Sequence, residues 1–403
     1  MVGRLRSDMF RNYRLWWHPP RLHPPGEPAR RVTWLELFYD LVFVVVISRL
    51  AHHLAEHPDA RRFGEFVLLF VPVWWIWLSV AYYNERFETY DLSFRAATFL
   101  QMLAVAGMAA NAEYGLSRTA TGFALSYAAA RLLILMMWWR AGRHNPGARP
   151  VTDVYVRNFS VSVMLWTVAA FLTGPVALAL KGAGLLLDLL TPLLTLRDQP
   201  RAFPASARKL PERFGLFVLI VLGESLIGVV NGLAEVERPD AVTLLRFVLG
   251  FVLGFGLWWV YFDFIGRREP DSRNRWRLFT WAYLHLPLVV GVTVVSAMVE
   301  RAVTLEGGTE PGVRWLLAGG FTLYYLACAG LEYTLEPEDP PLVGVGQIVG
   351  LRLLTAGAAL TLPLLLQTIS GLVLALIALH ALHMGVGLRA WFGSANAGRP
   401  DQH

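Results

Sequence analysis

Apolar runs of about twenty residues recur along the whole chain, and this pattern limits the fold more than any other feature. Each run is long enough to cross the hydrocarbon core of a bilayer as an α-helix, which rises about 1.5 Å per residue. The 403-residue sequence is 55% hydrophobic and only 16% charged, and its polar residues cluster between the runs. Transmembrane barrels instead show alternating segments of roughly ten residues. The sequence therefore predicts an all-α polytopic membrane protein without a separate soluble domain.

The runs predict about twelve transmembrane helices. Their expected ranges are 33–54, 63–84, 94–112, 119–139, 155–173, 175–195, 213–232, 243–266, 276–299, 313–332, 343–366 and 369–390. Only a Thr173-Gly174-Pro175 turn signal separates the fifth and sixth runs, so one long kinked helix is an alternative for this pair.

The distribution of basic residues predicts the orientation in the membrane. Most of the 36 Lys and Arg residues lie in the N-terminal segment 1–32 and in loops that follow even-numbered helices. We therefore expect a multi-pass plasma-membrane protein with both termini in the cytoplasm. The net charge of +6 then reflects topology, and nucleic-acid binding is not expected. One loop departs from this pattern, because segment 331–341 should be cytoplasmic and carries only acidic charges.

Segments of the first half reappear in the same order in the second half. HHLAEHPDA (52–60) matches NGLAEVERPDA (231–241), segment 66–88 matches 247–269, and GFALSYAAA (122–130) matches GFTLYYLAC (320–328). Because each half has an even number of helices, we expect two parallel six-helix repeats. Such repeats place ligand or ion sites where the halves meet, near the membrane midplane. A duplicated scaffold without a permeation path is the alternative.

These patterns divide the chain into five parts. They are a basic cytoplasmic tail (1–32), a first six-helix repeat (33–197), a cytoplasmic linker (198–212), a second six-helix repeat (213–392) and a cytoplasmic C-terminal tail (393–403). The N-terminal tail contains prolines and no apolar core, so no cleavable signal peptide is expected. The single cysteine, Cys328, excludes an intramolecular disulfide and a cysteine-based metal site.

The first predicted helix carries charged residues where apolar ones are expected. Thr33-Trp-Leu-Glu36 predicts a capping box, in which Glu36 reaches back to free backbone N–H groups. Asp40 lies one turn further on nearly the same face, about 10 Å into the helix, where no cap explains it. An ionisable group at this depth costs about 2.5–3.5 kcal/mol unless it is paired or hydrated. This cost favours a cavity-facing role for Asp40.

Arg49, His52 and His53 lie at the other end of the same helix. They are candidates for a substrate or ion pathway, although all three can also lie simply at the membrane interface. No zinc site is expected, because adjacent histidines on a helix point about 100° apart and no third ligand has suitable spacing. No other metal site and no cofactor are predicted.

Glu224 is the sharpest functional candidate of the sequence. It follows Arg213 by about 16 Å of helix, which places it close to the bilayer centre. A protonated glutamic acid hydrogen-bonded between helices is the alternative, and such a group would itself bind a proton. Two GxxxG pairs, Gly228 with Gly232 and Gly250 with Gly254, predict close helix packing nearby.

Arg131 is the basic residue predicted in the middle of a membrane helix, and its expected partner is Glu224 or Asp40. Weaker polar candidates at membrane depth are Asp188, Asp263, His285 and Arg352, with a cytoplasmic-end pair of His380 and His383. The predicted pathway residues are Glu36, Asp40, Arg49, His52, His53, Arg131, Glu224, Ser225, Asp263 and His285.

Two segments at the starts of the halves resemble the two signature segments of the bacterial low temperature requirement A (LtrA) family. They are RVTWLELFYDLVFVVVISRLAHHL and RFGLFVLIVLGESLIGVV. The resemblance covers nearly the whole chain and implies a bacterial inner-membrane protein linked to growth in the cold, with no implied substrate or reaction. It marks as motif positions Glu36, Phe38, Asp40, Gly223 and Glu224.

A fainter similarity links the first segment to two-repeat, twelve-span endolysosomal potassium channels. Arg31 and Phe38-Tyr39-Asp40 are similar to the Arg … Phe-Ser-Asp start of those channels. Tyr39 replaces the serine, however, and the second half has Gly223-Glu224 instead. Pore chemistry is therefore not carried over from these channels.

Three classes of function are compatible with these features. The first is a transporter of a small solute or ion with buried carboxylates at the repeat interface; the others are an ion channel and a non-transporting membrane sensor or scaffold. An enzyme is not expected, because Ser225 lies too deep beside Glu224 to attack lipid and no catalytic set is found. Expected partners are the lipid bilayer, a small solute, a proton or a monovalent cation, and a second copy of the chain.

The specific hypothesis is that Asp40 and Glu224 line one polar cavity between the halves. Arg131 or a histidine would compensate their charges, and Glu224 would exchange a proton.

Overall fold

The computed structural model describes residues 18–22, 32–89, 91–203, 210–271, 273–305, 310–336 and 344–397. Several sequence predictions fall outside these ranges. They concern Arg31 and most of the N-terminal tail, the centre of the linker (204–209), the acidic segment after residue 336 and the end of the C-terminal tail. Helices form almost all of the regular structure in the described ranges.

Six long helices precede residue 200. They are α1 (Trp34–Glu56), α2 (Ala60–Arg86), α3 (Leu92–Ala110), α4 (Ala120–His144), α5 (Arg149–Ala170) and α6 (Gly174–Leu194). The last four pack against one another in chain order. Residues 171–173 separate α5 from α6, and Gly174 has a positive φ of 71°, which glycine adopts without strain. The alternative of one kinked helix is therefore wrong.

Six further long helices follow a short helix at Gln199–Ala202. They are α7 (Leu210–Ala234), α8 (Ala241–Tyr261), α9 (Arg275–Thr304), α10 (Pro311–Glu332), α11 (Val345–Leu365) and α12 (Ile369–Ala397). A π-helical turn, Phe262–Gly266, extends α8. Consecutive helices from α8 to α12 pack together, and α8 also packs against α12.

The helices belong to two compact units. The first unit comprises Met1–Arg49 and Leu69–Arg213, and the second comprises Leu50–Leu68 and Phe214–His403. Three helices, α1, α2 and α7, therefore contribute residues to both units.

Nine helices in the described part of the chain are long and apolar enough to cross a membrane. They are α2, α3, α4, α6, α7, α8 with its π-helical turn, α9, α11 and the first part of α12. The remaining three long helices, α1, α5 and α10, contain 23, 22 and 22 residues. The predicted class of an all-α polytopic membrane protein is confirmed.

The glycine pairs of the second unit lie at close helix contacts, as predicted. A Cβ atom built on Gly228 would lie 2.9 Å from Glu300 Oε2, and one on Gly232 would lie 2.9 Å from the Glu300 carbonyl oxygen. A Cβ atom on Gly250 would overlap the side chain of Val299. Small residues therefore allow α7 and α8 to approach α9 closely.

Both Pro-Asp-Ala sequences lie at the start of a helix. Asp59 Oδ1 accepts a hydrogen bond from the Arg62 N–H at 2.8 Å before α2. Asp240 Oδ1 accepts one from the Thr243 N–H at 2.7 Å before α8. Helix capping therefore explains why this short sequence occurs twice.

A short β-ladder joins the N-terminal segment to the loop after α2. Strand β1 (Arg21–Leu22) pairs antiparallel with β2 (Phe87–Glu88). Asp91, the N-cap of α3, accepts hydrogen bonds from the His18 N–H at 2.7 Å and from Arg140 Nη2 at 2.8 Å. Residues 18–22 of the predicted tail are thus anchored to the first unit.

Replacement of Asp91 by Asn should weaken the first unit in a pH-dependent way. Burial raises the pKa of the Asp91 carboxyl, but hydrogen bonds from Arg140, Phe94, Ser93 and His18 outweigh burial and lower the pKa below its ordinary value. The ionised carboxylate therefore stabilises the folded protein above the ordinary aspartate pKa of about 4, and this contribution is lost as pH falls through the lowered pKa.

We expect Asp91→Asn to cost about 1.5–3 kcal/mol at neutral pH, the range for hydrogen bonds to charged groups. Thermal unfolding in detergent at a series of pH values checks this. The difference from wild type should shrink below about pH 4, where the carboxylate loses its charge. The exposed Asp153→Asn is the control. A difference that does not change with pH would contradict the charge-based explanation.

Candidate functional site

The capping box predicted at the start of α1 is present. The Thr33 N–H donates to Glu36 Oε2 at 2.9 Å, and the Glu36 N–H donates to Thr33 Oγ1 at 3.3 Å. The cap fixes where α1 begins and thereby places Asp40 one turn deeper. The Asp40 side chain is fully buried there.

Asp40 accepts two hydrogen bonds through the same oxygen. Trp77 Nε1 of α2 donates to Asp40 Oδ1 at 2.9 Å, and Arg213 Nη2 at the start of α7 donates to it at 3.3 Å. Arg213 Nη1 also lies 3.5 Å from Glu36 Oε1. All of these residues belong to the first unit. Arg213 is the countercharge of Asp40, so the expected compensation of this acid by Arg131 or a histidine is wrong.

Four buried polar atoms around Asp40 have no hydrogen-bond partner among the described residues. They are Tyr39 Oη, Asp40 Oδ2, Arg213 Nε and Arg213 Nη1. Buried polar atoms are paired in the great majority of cases, so this group of exceptions makes the surroundings of Asp40 a candidate functional position. Two carboxylates and one guanidinium also leave one net negative charge. We call Glu36, Tyr39, Asp40, Trp77 and Arg213 the Asp40 centre.

Arg131 belongs to a second buried charge pair of the first unit. Arg131 Nη2 donates to Asp188 Oδ1 at 2.8 Å, and Arg131 Nη1 donates to Ser79 Oγ at 2.8 Å. The side chains of Arg131 and Asp188 are both 0% exposed. The prediction that Arg131 pairs with Glu224 or Asp40 is therefore wrong, because Asp188 of α6 is its acidic partner.

The two buried aspartates differ in how fully they are hydrogen-bonded. Asp188 Oδ2 accepts from Tyr127 Oη and Ser162 Oγ, both at 2.7 Å, so both of its oxygens have partners. Asp40 Oδ2 has none among the described residues. A buried carboxylate with both oxygens bonded fits a structural role, whereas a carboxylate with one unbonded oxygen can accept a ligand. Asp40 is therefore the stronger functional candidate of the two.

Glu224 is half-buried in the middle of α7 and belongs to the second unit. The neighbouring Ser225 Oγ donates to the Val221 carbonyl at 3.1 Å, a local bond common for serine within helices. Because Asp40 belongs to the other unit, a cavity shared by Asp40 and Glu224 stays a prediction.

The residues predicted at the C-terminal end of α1 have different surroundings. Arg49 is exposed. His52 Nδ1 lies 2.9 Å from Glu300 Oε1 of α9, whereas His53 Nε2 lies 3.1 Å from Arg62 Nη1 of α2. The adjacent histidines therefore contact different helices, as their helical spacing predicts. Both also lie near Glu56, with His52 Nε2 3.7 Å and His53 Nδ1 3.4 Å from its carboxylate oxygens.

Asp263 and His285 are two further candidates of the second unit. Neither has an ion pair among the described residues. Asp263 is exposed in the π-helical turn after α8. His285 is buried, with Nε2 3.0 Å from Tyr261 Oη and Nδ1 2.8 Å from the Trp281 carbonyl oxygen. Hydrogen bonds to both ring nitrogens indicate a packed structural histidine.

The remaining polar candidates of the second unit are also buried. Arg352 Nη1 donates to Glu332 Oε2 at 2.8 Å. His380 Nδ1 lies 2.6 Å from Tyr325 Oη, and His383 is buried one turn further along α12. These contacts join α10 to α11 and α12.

The comparison with known sequences covers the Asp40 centre and both signature segments. A sequence profile for the bacterial low temperature requirement A protein (LtrA) matches residues 31–382. The chain belongs to the LtrA family. A protein of Rhizobium meliloti (strain 1021), described as uncharacterized, is 24% identical over 395 residues. The alignment covers 92% of this LtrA chain and 93% of that protein.

Three residues of these sites were not predicted as functional from the LtrA sequence. In the sequence, Arg213 serves only as the reference point for the depth of Glu224, although it lies in the second signature segment. Glu300 follows the predicted end of the ninth helix by one residue, and its position in α9 became visible only in the structure. Trp77 is one of several tryptophans in an apolar run, so only its indole hydrogen bond to Asp40 distinguishes it.

Proposed function

We propose that this LtrA-family protein transports a small solute or ion across the plasma membrane, coupled to a proton or monovalent cation that binds at the Asp40 centre. The observation that carries the proposal is Asp40 Oδ2, which is buried and has no hydrogen-bond partner in the described part of the chain. Ionisable groups inside membrane proteins are expensive and are typical of ion and substrate pathways. Glu224 is the second titratable group of the proposed mechanism.

The coupling follows from the position of Arg213 between two acids. Arg213 lies 3.3 Å from Asp40 Oδ1 and 3.5 Å from Glu36 Oε1. When Asp40 binds a proton or cation, Arg213 is attracted mainly to Glu36. Because Asp40 and Glu36 both belong to α1 and Arg213 lies in the first turn of α7, occupancy of Asp40 changes which side chain of α1 attracts α7. A ligand shifts a conformational equilibrium through such differential contacts.

The proposed architecture has twelve membrane-spanning helices in two parallel six-helix repeats, with both termini in the cytoplasm. Equivalent contacts within the two units support the repeat. Tyr127 of α4 donates to Asp188 of α6 at 2.7 Å, and the aligned Tyr325 of α10 lies 2.6 Å from His380 of α12. The two Pro-Asp-Ala helix caps are a second equivalent pair. The bias of basic residues supports the orientation.

The proposal assigns the protein no catalytic, cofactor-binding or metal-binding residue. In this proposal the protein lies in the lipid bilayer, and its ligands are a small solute, a proton or a monovalent cation. A homo-oligomer is compatible with this mechanism, and nucleic acid has no part in it.

Purified protein in liposomes tests the proposal. A trapped pH dye reports proton movement under an imposed proton gradient, while a potassium gradient with valinomycin sets the membrane potential. Potassium flux is measured separately, without valinomycin. We expect the imposed proton gradient to dissipate faster in liposomes that contain the protein than in protein-free liposomes. Asp40→Asn should slow it by at least about tenfold, equivalent to roughly 1.4 kcal/mol of barrier. Glu224→Gln should slow it or change its pH dependence. The exposed Asp153→Asn should behave as wild type.

Two outcomes would overturn the proposal. One is wild-type protein that moves neither protons nor potassium faster than protein-free liposomes, which favours a sensor or scaffold. The other is potassium flux that is independent of pH and of Asp40→Asn, which favours an ion channel.

A further inference from the structure

A second set of titratable side chains lies in the second unit, at the C-terminal end of α1. His52 Nδ1 is 2.9 Å from Glu300 Oε1. The His52 side chain is 48% exposed, whereas that of Glu300 is only 13% exposed. The pair therefore connects an accessible imidazole with a carboxylate that is largely enclosed by protein.

The enclosed carboxylate of Glu300 lies directly against a glycine face of α7. A Cβ atom on Gly228 would be 2.9 Å from Glu300 Oε2, so a larger residue at this position would force the carboxylate to shift. Glu224 precedes Gly228 by four residues and hence lies on nearly the same face, about 6 Å away along the helix axis. Glu300 thus lies between the accessible His52 and the membrane-embedded Glu224.

Acidic groups surround this pair on the accessible side. Glu56 Oε1 lies 3.7 Å from His52 Nε2, and the Glu235 carboxylate, at the end of α7, acts electrostatically on both His52 and Glu300. This excess of acids over one imidazole attracts protons.

Two arginines of helices α8 and α9 have other partners. Arg246 of α8 donates to the carbonyl oxygens of Ala302 and Leu305. Arg301 of α9 pairs with Glu310 at 3.2 Å. Neither arginine has an ion pair with Glu300 among the described residues.

We propose that His52 and Glu300 form a proton-binding pair that carries protons between the solution at this end of α1 and Glu224. In the inward step, Nε2 of His52 takes a proton from water and Nδ1 releases one to Glu300 Oε1. Rotation of the Glu300 carboxyl then passes that proton toward α7. The imidazole, left with its proton on Nε2, returns to the Nδ1–H form by exchanging protons with water. The proposal rests on the proposed function, and the predicted topology makes this end of α1 the external one.

Chemical modification tests the pair without any transport measurement. Diethyl pyrocarbonate reacts with neutral imidazole, and mass spectrometry reports the reaction at each histidine. At pH 7 we expect His52 to react about threefold to fivefold faster in Glu300→Gln than in wild type, the range for a half-exposed ion pair. His57, exposed on the following loop, is the internal control and should react equally in both. Equal His52 rates would overturn the pair.

Proton flux into liposomes tests the pathway. Glu300→Gln and His52→Asn should each slow proton entry from the external side by about tenfold or more, because they remove a proton carrier. Gly228→Ala, which displaces the Glu300 carboxylate, should act in the same direction. Glu237→Gln and His57→Asn are exposed controls, and Gly319→Ala adds a methyl group where no atom lies within 4 Å.

The two proposals fail in different ways. Proton flux that depends on Asp40 and is unchanged by Glu300→Gln and His52→Asn overturns the pathway and leaves the proposed function intact. Absence of flux in wild type overturns the proposed function and with it the pathway, whatever the modification rates of His52 are.

Discussion

Asp188→Asn should destabilise the folded protein by about 3–5 kcal/mol, because it leaves the charge of Arg131 buried without an acid. The substitution keeps the shape of the side chain and an acceptor for Tyr127 and Ser162, so the lost charge is the main change. Arg131 is 0% exposed and its other guanidinium hydrogen bond goes to the neutral Ser79. Unfolding in detergent, followed by tryptophan fluorescence and size-exclusion chromatography, measures the loss.

The double variant Arg131→Met/Asp188→Asn should recover most of this stability. Replacing both partners of a buried ion pair by uncharged groups is often neutral or stabilising, whereas removing one partner is costly. The Asn side chain can still accept a hydrogen bond from Tyr127 or Ser162. The exposed Glu237→Gln serves as a control for the loss of one carboxylate. A double variant no more stable than Asp188→Asn would contradict a pairwise origin of the effect.

The helices could be predicted from the sequence because hydropathy and turn signals are local properties. All twelve predicted ranges correspond to long helices, with ends that differ by several residues, as for α4, which continues to His144. The anchoring of residues 18–22 was not predicted, since a two-residue strand has no sequence pattern and depends on its partner Phe87–Glu88. The repeat rests on matching segments within the sequence, and the orientation rests on the distribution of basic residues. Both stay predictions.

The candidate site was predicted only in part. Burial cost alone identified Asp40, and the structure confirms that this carboxylate is buried. Its partner could not be found in this way, because Arg213 lies 173 positions away and pairing depends on how helices pack. The same reason explains the wrong partner for Arg131. Depth along a helix is readable from sequence, whereas the direction of a side chain toward another helix is not.

Variants of the Asp40–Arg213 pair should separate a structural role from a transport role. Arg213→Gln alone leaves the fully buried Asp40 without its countercharge. It should lower the free energy of unfolding by about 3–5 kcal/mol and should also reduce flux. Asp40→Asn should fold more nearly as wild type, because Arg213 keeps Glu36 at 3.5 Å and the new amide oxygen can accept from Trp77. It should nevertheless lose proton-coupled flux.

The double variant Asp40→Asn/Arg213→Gln decides between the two roles. Removal of both charges should restore stability close to that of wild type, as for other buried pairs replaced by neutral groups. If Asp40 binds the coupling proton or cation, flux should remain at least about tenfold below wild type in this stable protein. If the pair only holds α1 and α7 together, flux should return with stability, since the neutral side chains meet the same packing requirement. Unfolding and liposome flux measured on one preparation distinguish these results, and recovery of both would assign Asp40 to the scaffold.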